Sequence, residues 1–391
     1  MRRRQFIKAL TASLATIHTP LLAANNLALN SNSSNKPAKL VWVIMRGALD
    51  SLHTVVPTFE PELAKMRPNL YPAVKDELLA IDDGFGFHPA MQYMHQLYKQ
   101  KQLLVINAVS SGFGERSHFD GQDFLESGLA HIDADTGWLG RAAASRVNKA
   151  IAVANSVPIS LRGYEKVTTW YPSRFHSADA SVFDALQDLY QSDKLLSKRL
   201  AQGMELRQLT NEGSSGYNRG RFVDLAKSCG RILANDQGTD CAMLEVGGWD
   251  THNYEIRRQH KHLVELNEGI AALQQSLGDY WENTVVIMAT EFGRTVRENG
   301  TLGTDHGTAS CMFMAGGAVD GGKVLGKWPG LAKQQQFQGR DLAPTSNTFS
   351  WIASMLAQHW QLDGQQLADV FPQASPYKGS LIARVSRPFL S

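Results

Sequence analysis

The sequence predicts an α/β fold with a mostly parallel central sheet, on two observations. Four mainly apolar runs of strand length, Leu40–Met45 (continuously apolar), Leu103–Ala108, Cys241–Val246 and Thr284–Thr290, have the pattern of buried strands. Segments with helical spacing separate them, as a parallel sheet with crossover helices requires. The 391 residues, 43% apolar and 19% charged, can bury a large core. No internal repeat and no clear linker interrupts the chain after residue 35, so residues 36–391 read as one domain.

The elements follow in order. Gly47 and Asp50 mark a turn after the first strand. Met91, Met94, Leu97 and Tyr98 give His88–Lys101 a helical stripe, and Leu103–Ala108 is the second strand. Ser117–Ser127 reads as a helix because Ser117 and Asp120 have the spacing of an N-terminal cap. Ser156–Leu161 is a candidate strand. Ser181–Leu209 has helical periodicity, Asn211–Gly220 is a Gly/Ser-rich loop, and Phe222–Asn235 is a helix. Cys241–Val246 ends in Gly247-Gly248-Trp249-Asp250, and Tyr254–Gly278 is a long helix. Thr284–Thr290 ends at Glu291. Cys311–Ala315 is a short strand, Gly316–Gly330 suits a hairpin or tight turns, and Thr345–Trp360 is the last helix.

The first 35 residues read as a leader and spacer. Arg3-Arg4-Gln5-Phe6-Ile7-Lys8 resembles the twin-arginine signal, with Arg2 where Ser or Thr is usual. The apolar stretch Ala9–Ala24 contains Thr11, Ser13, Thr16, His18, Thr19 and Pro20, too polar and short for a membrane span. Ala24 and Ala28 are the best candidates for the last residue removed, and no transmembrane anchor is expected after cleavage. The competing reading is a basic amphipathic helix of a cytoplasmic protein. The signal implies the twin-arginine machinery as a partner and a periplasmic location. That route carries folded cargo, which favours a ligand or metal acquired before export.

A net charge of +2 with scattered Lys and Arg excludes the basic stripe of a nucleic-acid binder. Cys229, Cys241 and Cys311 include no C-x-x-C pair, so neither a thiolate zinc site nor a disulfide framework is expected. An exported chain can pair Cys229 with Cys241; packing of all three in the core is the plainer reading.

Sites in open α/β sheets lie beyond the C-terminal ends of the strands. Four segments qualify. After the first strand, Asp50 is either a metal ligand or a loop cap. After the second, Ser117 is either a nucleophile at a helix start or an N-cap beside a surface imidazole, His118. After the third, Asp250 and His252 in a Gly-rich turn can face one ion. After the fourth come Glu291 and Arg294, then Asp305 and His306 side by side. Carboxylates and imidazoles at these places offer oxygen and nitrogen ligands to Zn²⁺, Mn²⁺, Mg²⁺ or Ca²⁺. Arg294 or Arg46 can stabilise an anionic ester.

Together, R-G-x-x-D at Arg46–Asp50, R-S-H-F at Arg116–Phe119, G-G-W-D-T-H at Gly247–His252, E-F-G-R-T at Glu291–Thr295 and G-T-D-H-G at Gly303–Gly307 resemble the bacterial family called domain of unknown function 1501. Members usually have a second glycine where Ala48 stands. The resemblance spans Leu40 to about Pro372. It implies kinship with the alkaline phosphatase and sulfatase superfamily, hence helices on both faces of the sheet and a two-metal site. It implies Ser117 as nucleophile, Asp50 as the acid after the first strand, Asp250 and His252 as ligands of one metal, and His306, with Asp305, as a late ligand; Glu291 joins this expected metal set from its own place after the fourth strand. Active relatives often carry Asp-His directly after the fourth strand; here Glu291 stands alone and Asp305-His306 follows fourteen positions later. The expected function is therefore metal-dependent hydrolysis of phosphate or sulfate esters. The alternative is a non-catalytic exported protein that keeps the fold and binds a ligand or partner.

Overall fold

The computed structural model describes residues 36–383 except 147, 173–179, 211–219 and 237. The chain divides into two units, Met1–Pro37 and Ala38–Ser391. The twin-arginine motif, both cleavage candidates and most of the Asn211–Gly220 loop lie outside the described residues.

The twelve described strands are β1 Lys39–Met45, β2 Val55–Pro57, β3 Leu79–Ala80, β4 Phe85–Phe87, β5 Leu103–Ser110, β6 Lys149–Ala152, β7 Val167–Thr169, β8 Thr239–Val246, β9 Thr284–Ala289, β10 Ser310–Ala315, β11 Lys323–Leu325 and β12 Ser346–Asn347. Nine form one sheet in the order β11-β5-β10-β9-β1-β8-β6-β7, with β12 also on β5. All its pairings are parallel except those of β10, which runs against β5 and β9. β2, β4 and β3 form a small separate sheet.

Alternation along β1 explains why its run is apolar throughout. Val41, Val43 and Met45 pack with residues of helices Gln92–Lys99, Phe222–Asn235 and Glu255–Leu277. Leu40, Trp42 and Ile44 point the other way, toward helices Trp138–Arg146, Thr348–His359 and Gly364–Val370. Helices therefore cover both faces. No helix among the described residues is long and apolar enough to cross a membrane. All three cysteines are buried and free, so Cys229 and Cys241 are not paired.

Two expectations are corrected. Ser156–Leu161 is not a strand: after Pro158 the chain forms a 3-10 turn at Ile159–Leu161, and the neighbouring strand is β6. Ser181–Leu209 is two helices, Ala180–Tyr190 and Lys194–Thr210; the Asp193 carboxylate accepts the Leu195 and Leu196 N–H groups and starts the second. Of the hairpin or tight turns expected for Gly316–Gly330, the structure has the turns, and β11 within the segment pairs with β5.

Parallel pairing puts the C-terminal ends of β1, β5, β8 and β9 on one rim, and reversal makes β10 begin there. Gly47 and Gly293 let the rim loops meet. Gly47 has φ +118°, and a Cβ there would stand 2.6 Å from Asp250 N. A Cβ on Gly293 would stand 1.8 Å from the Ala309 carbonyl.

Opposite the rim, His359 is 7% exposed and donates from Nε2 to the Lys39 carbonyl at 3.0 Å. Burial pushes its pKa from 6.5 down to about 4. The folded state favours the neutral ring, so this contribution is complete above pH 6.5 and is lost as pH falls toward 4. Urea unfolding across this range should show wild type losing about 3 kcal/mol more than His359→Gln.

Candidate metal centre

Three rim segments bring imidazoles to one point. His118 follows Ser117, whose hydroxyl accepts the Asp120 N–H at 3.4 Å and caps helix His118–Ser127. Asp250 and His252 lie in the loop after β8. His306 leads into β10 and bridges Arg294 in antiparallel fashion. His118, Asp250 and His306 each place a potential ligand atom within 4.8 Å of the others. Asp250 Oδ1 stands 3.3 Å from His118 Nε2, 3.1 Å from His252 Nε2 and 3.3 Å from His306 Nε2. The Nε2 atoms of His252 and His306 are 2.9 Å apart.

The opposite ring nitrogens determine what faces this point. His118 Nδ1 lies 2.8 Å from Glu291 Oε1, and His252 Nδ1 lies 3.2 Å from Asp305 Oδ1. His306 Nδ1 lies 2.9 Å from the Arg116 carbonyl. Each partner accepts, so each Nδ1 donates, and the neutral rings turn Nε2 lone pairs toward one another and toward a carboxylate. His118 Nε2 is buried and makes no hydrogen bond. Lone pairs and an anion at such distances repel unless a cation or protons lie between them. The set is three imidazole nitrogens and one carboxylate oxygen, with ring orientation fixed from behind, which is how protein metal sites are built.

Both carboxylates are held in their ionised form. Burial opposes ionisation of Asp250, but the Arg294 guanidinium at 2.6 Å holds its carboxyl down to about 2. Burial likewise opposes ionisation of Glu291, yet hydrogen bonds from His118 and Gln122 keep it below the usual range. Burial disfavours charge on His118, and its bond to Glu291 outweighs this and raises its pKa. Burial lowers that of His306.

Several expected site residues take other roles. Glu291 is buried and cannot reach into the centre as a ligand. Its Oε1 accepts from Gly47 N, His118 and Gln122, and its Oε2 from Thr290. Asp305 likewise holds a ring, with Asn299 as its second donor. Asp50 is not among the clustered ligands. Arg67 engages both its oxygens, and the two side chains are each 1% exposed. Arg294 is 1% exposed and spends Nε, Nη2 and one Nη1 hydrogen on the carbonyls of Ala48, Gly47, Trp249 and Thr304 and on Asp250, so it is chiefly a buried tie between the rim loops. Arg46 is held by Glu245, Gln122 and Glu126. His118, a surface imidazole by sequence alone, is a principal member of the cluster. Its position beside Ser117, at the rim end of β5, was the available signal.

No curated protein matches the sequence. Solved structures give distant likenesses. The C-terminal periplasmic domain of EcEptC from Escherichia coli, in complex with Zn, is 10% identical over 73% of this chain and 74% of that one, with a TM-score of 0.37. Alkaline phosphatase from the Antarctic bacterium TAB5 is 13% identical over 72% of this chain and 92% of that one, at 0.32. A protein of the alkaline phosphatase superfamily from Vibrio parahaemolyticus is 9% identical over 83% and 66%, at 0.38. The family profile described as "Protein of unknown function (DUF1501)" matches residues 37–371, and the chain belongs to that family.

Proposed function

We propose that this chain is an exported, metal-dependent hydrolase of phosphate or sulfate esters, with a divalent ion held by His118, Asp250, His252 and His306. One observation carries the reading: three imidazole Nε2 atoms surround a single carboxylate oxygen, and each ring is held by an acceptor behind it. An ion there supplies Lewis acidity toward an ester oxygen. The chain's own groups do the positioning. Glu291, Asp305 and the Arg116 carbonyl hold the rings, and Arg294 aims Asp250. The Ser117 hydroxyl has only the long bond from Asp120 N–H, at the end of a ten-residue helix where an anion is favoured. We assign it as the nucleophile. Export by the twin-arginine machinery rests on Arg3–Lys8.

One observation favours the alternative of a non-catalytic binding protein. Asp50, implied by the family resemblance as a ligand, is enclosed by Arg67, so the second ion of a two-metal site lacks this donor. Turnover decides between them. Metal-loaded protein should hydrolyse an aryl phosphate or aryl sulfate, and Ser117→Ala should reduce the rate at least ~10²-fold while keeping its metal. A metal-loaded protein inert toward both esters supports the binding protein.

A further inference from the structure

A cavity of about 410 Å³ adjoins the metal centre, and the hydrolytic reading does not use it. Its lining includes Thr295, Arg297, Glu298, Asp305, Lys333 and Arg340. The size suits a small polar ligand. The hairpin that carries His306 also builds its wall: Arg294 bridges His306, Thr295 bridges Asp341, and Thr295 N donates to the Asp305 carbonyl at 2.9 Å. Asp305 belongs to both places. It lines the cavity, and its Oδ1 holds His252 Nδ1. Arg340 joins them again, donating from Nη2 to the His306 carbonyl at 2.7 Å.

The charges in the cavity are unequally engaged. The Glu298 carboxylate accepts the backbone N–H groups of Asn69 and Leu70 and the Asn69 side chain. Asp305 accepts from His252 and Asn299. Glu298 is therefore occupied through both oxygens, and Asp305 through Oδ1. Arg297 and Lys333 are exposed, and their side chains have no hydrogen-bond or ion-pair partner among the described residues. Two free cations beside a third, Arg340, face a ligand-sized space one carboxylate away from the imidazoles. That arrangement recognises anions.

We infer that this cavity is a subsite for a second anionic group of the substrate, a phosphate or sulfate borne by the same molecule as the reacting ester, with Arg297 and Lys333 as its specificity residues. The inference rests on the hydrolytic reading and names its substrate class: esters carrying more than one anionic group. A simple monoester reaches the metal centre alone and leaves the cavity unused.

Calorimetric titration of the metal-loaded protein tests this with three probes: orthophosphate, inorganic tripolyphosphate and a trisulfated heparin disaccharide. At least one polyanion should bind more tightly than orthophosphate. Arg297→Ala/Lys333→Ala should weaken that binding about tenfold and leave orthophosphate unchanged. Added salt should narrow the gap between probes. A loss confined to tripolyphosphate assigns a phosphate, and one confined to the disaccharide assigns a sulfate. A metal-loaded protein that binds orthophosphate but shows no loss with either polyanion overturns the subsite and leaves the hydrolytic reading standing. A protein that retains no metal overturns both.

Discussion

His306→Ala is expected to lose at least ~10²-fold in affinity for a divalent ion, with the fold intact. His306 supplies an Nε2 atom 2.9 Å from that of His252 and 3.3 Å from Asp250 Oδ1. It is only partly buried, and its backbone stays tied through the bridge to Arg294, so removing the ring deletes a donor without opening the core. Glu291→Gln should be milder, at about 10–100-fold, because the amide can still meet His118 Nδ1 through its oxygen but no longer carries the charge that raises ring basicity. Competition with a chromophoric chelator measures both. Equal affinities in wild type and His306→Ala would remove this residue from the centre.

Arg67→Met should destabilise the fold by about 3–5 kcal/mol, lowering the melting temperature by roughly 10 °C. The Asp50–Arg67 pair is buried on both sides, and Arg67 also satisfies the carbonyls of Val296 and Thr295. Burial opposes charge on Asp50, and Arg67 is the main group that outweighs it. Deleting the guanidinium strands a carboxylate next to Glu255, whose pKa burial and Asp50 already push well up. Asp50→Asn combined with Arg67→Met removes the stranded charge and should recover much of the loss, a coupling that urea unfolding can resolve. Additive losses would mean the two side chains do not depend on each other.

The central strands were legible because β1, β5, β8 and β9 are buried on both faces almost throughout and are therefore largely apolar. β2, β3, β4, β11 and β12 span two or three residues each and carry no periodicity to read. The reversed direction of β10 was also hidden, since an apolar run has no polarity. In the site, position after β8 and β9 pointed to Asp250, His252 and the loop that carries His306, which the fold brings to one point. It could not separate a ligand from the acceptor behind one: Glu291 and Asp305 differ from Asp250 only in which imidazole nitrogen they meet. Nor could it foresee that Arg67, seventeen residues beyond Asp50 and outside any recognisable motif, would enclose that carboxylate.

X-ray absorption at the metal edge of the loaded protein tests the central claim most directly. One bound divalent ion is expected, with imidazole scattering from three histidines and an oxygen ligand, at about 2.0–2.2 Å if the ion is zinc. His118→Ala should remove one imidazole from that shell. A spectrum with oxygen ligands alone, or a shell unchanged in His118→Ala, would contradict it.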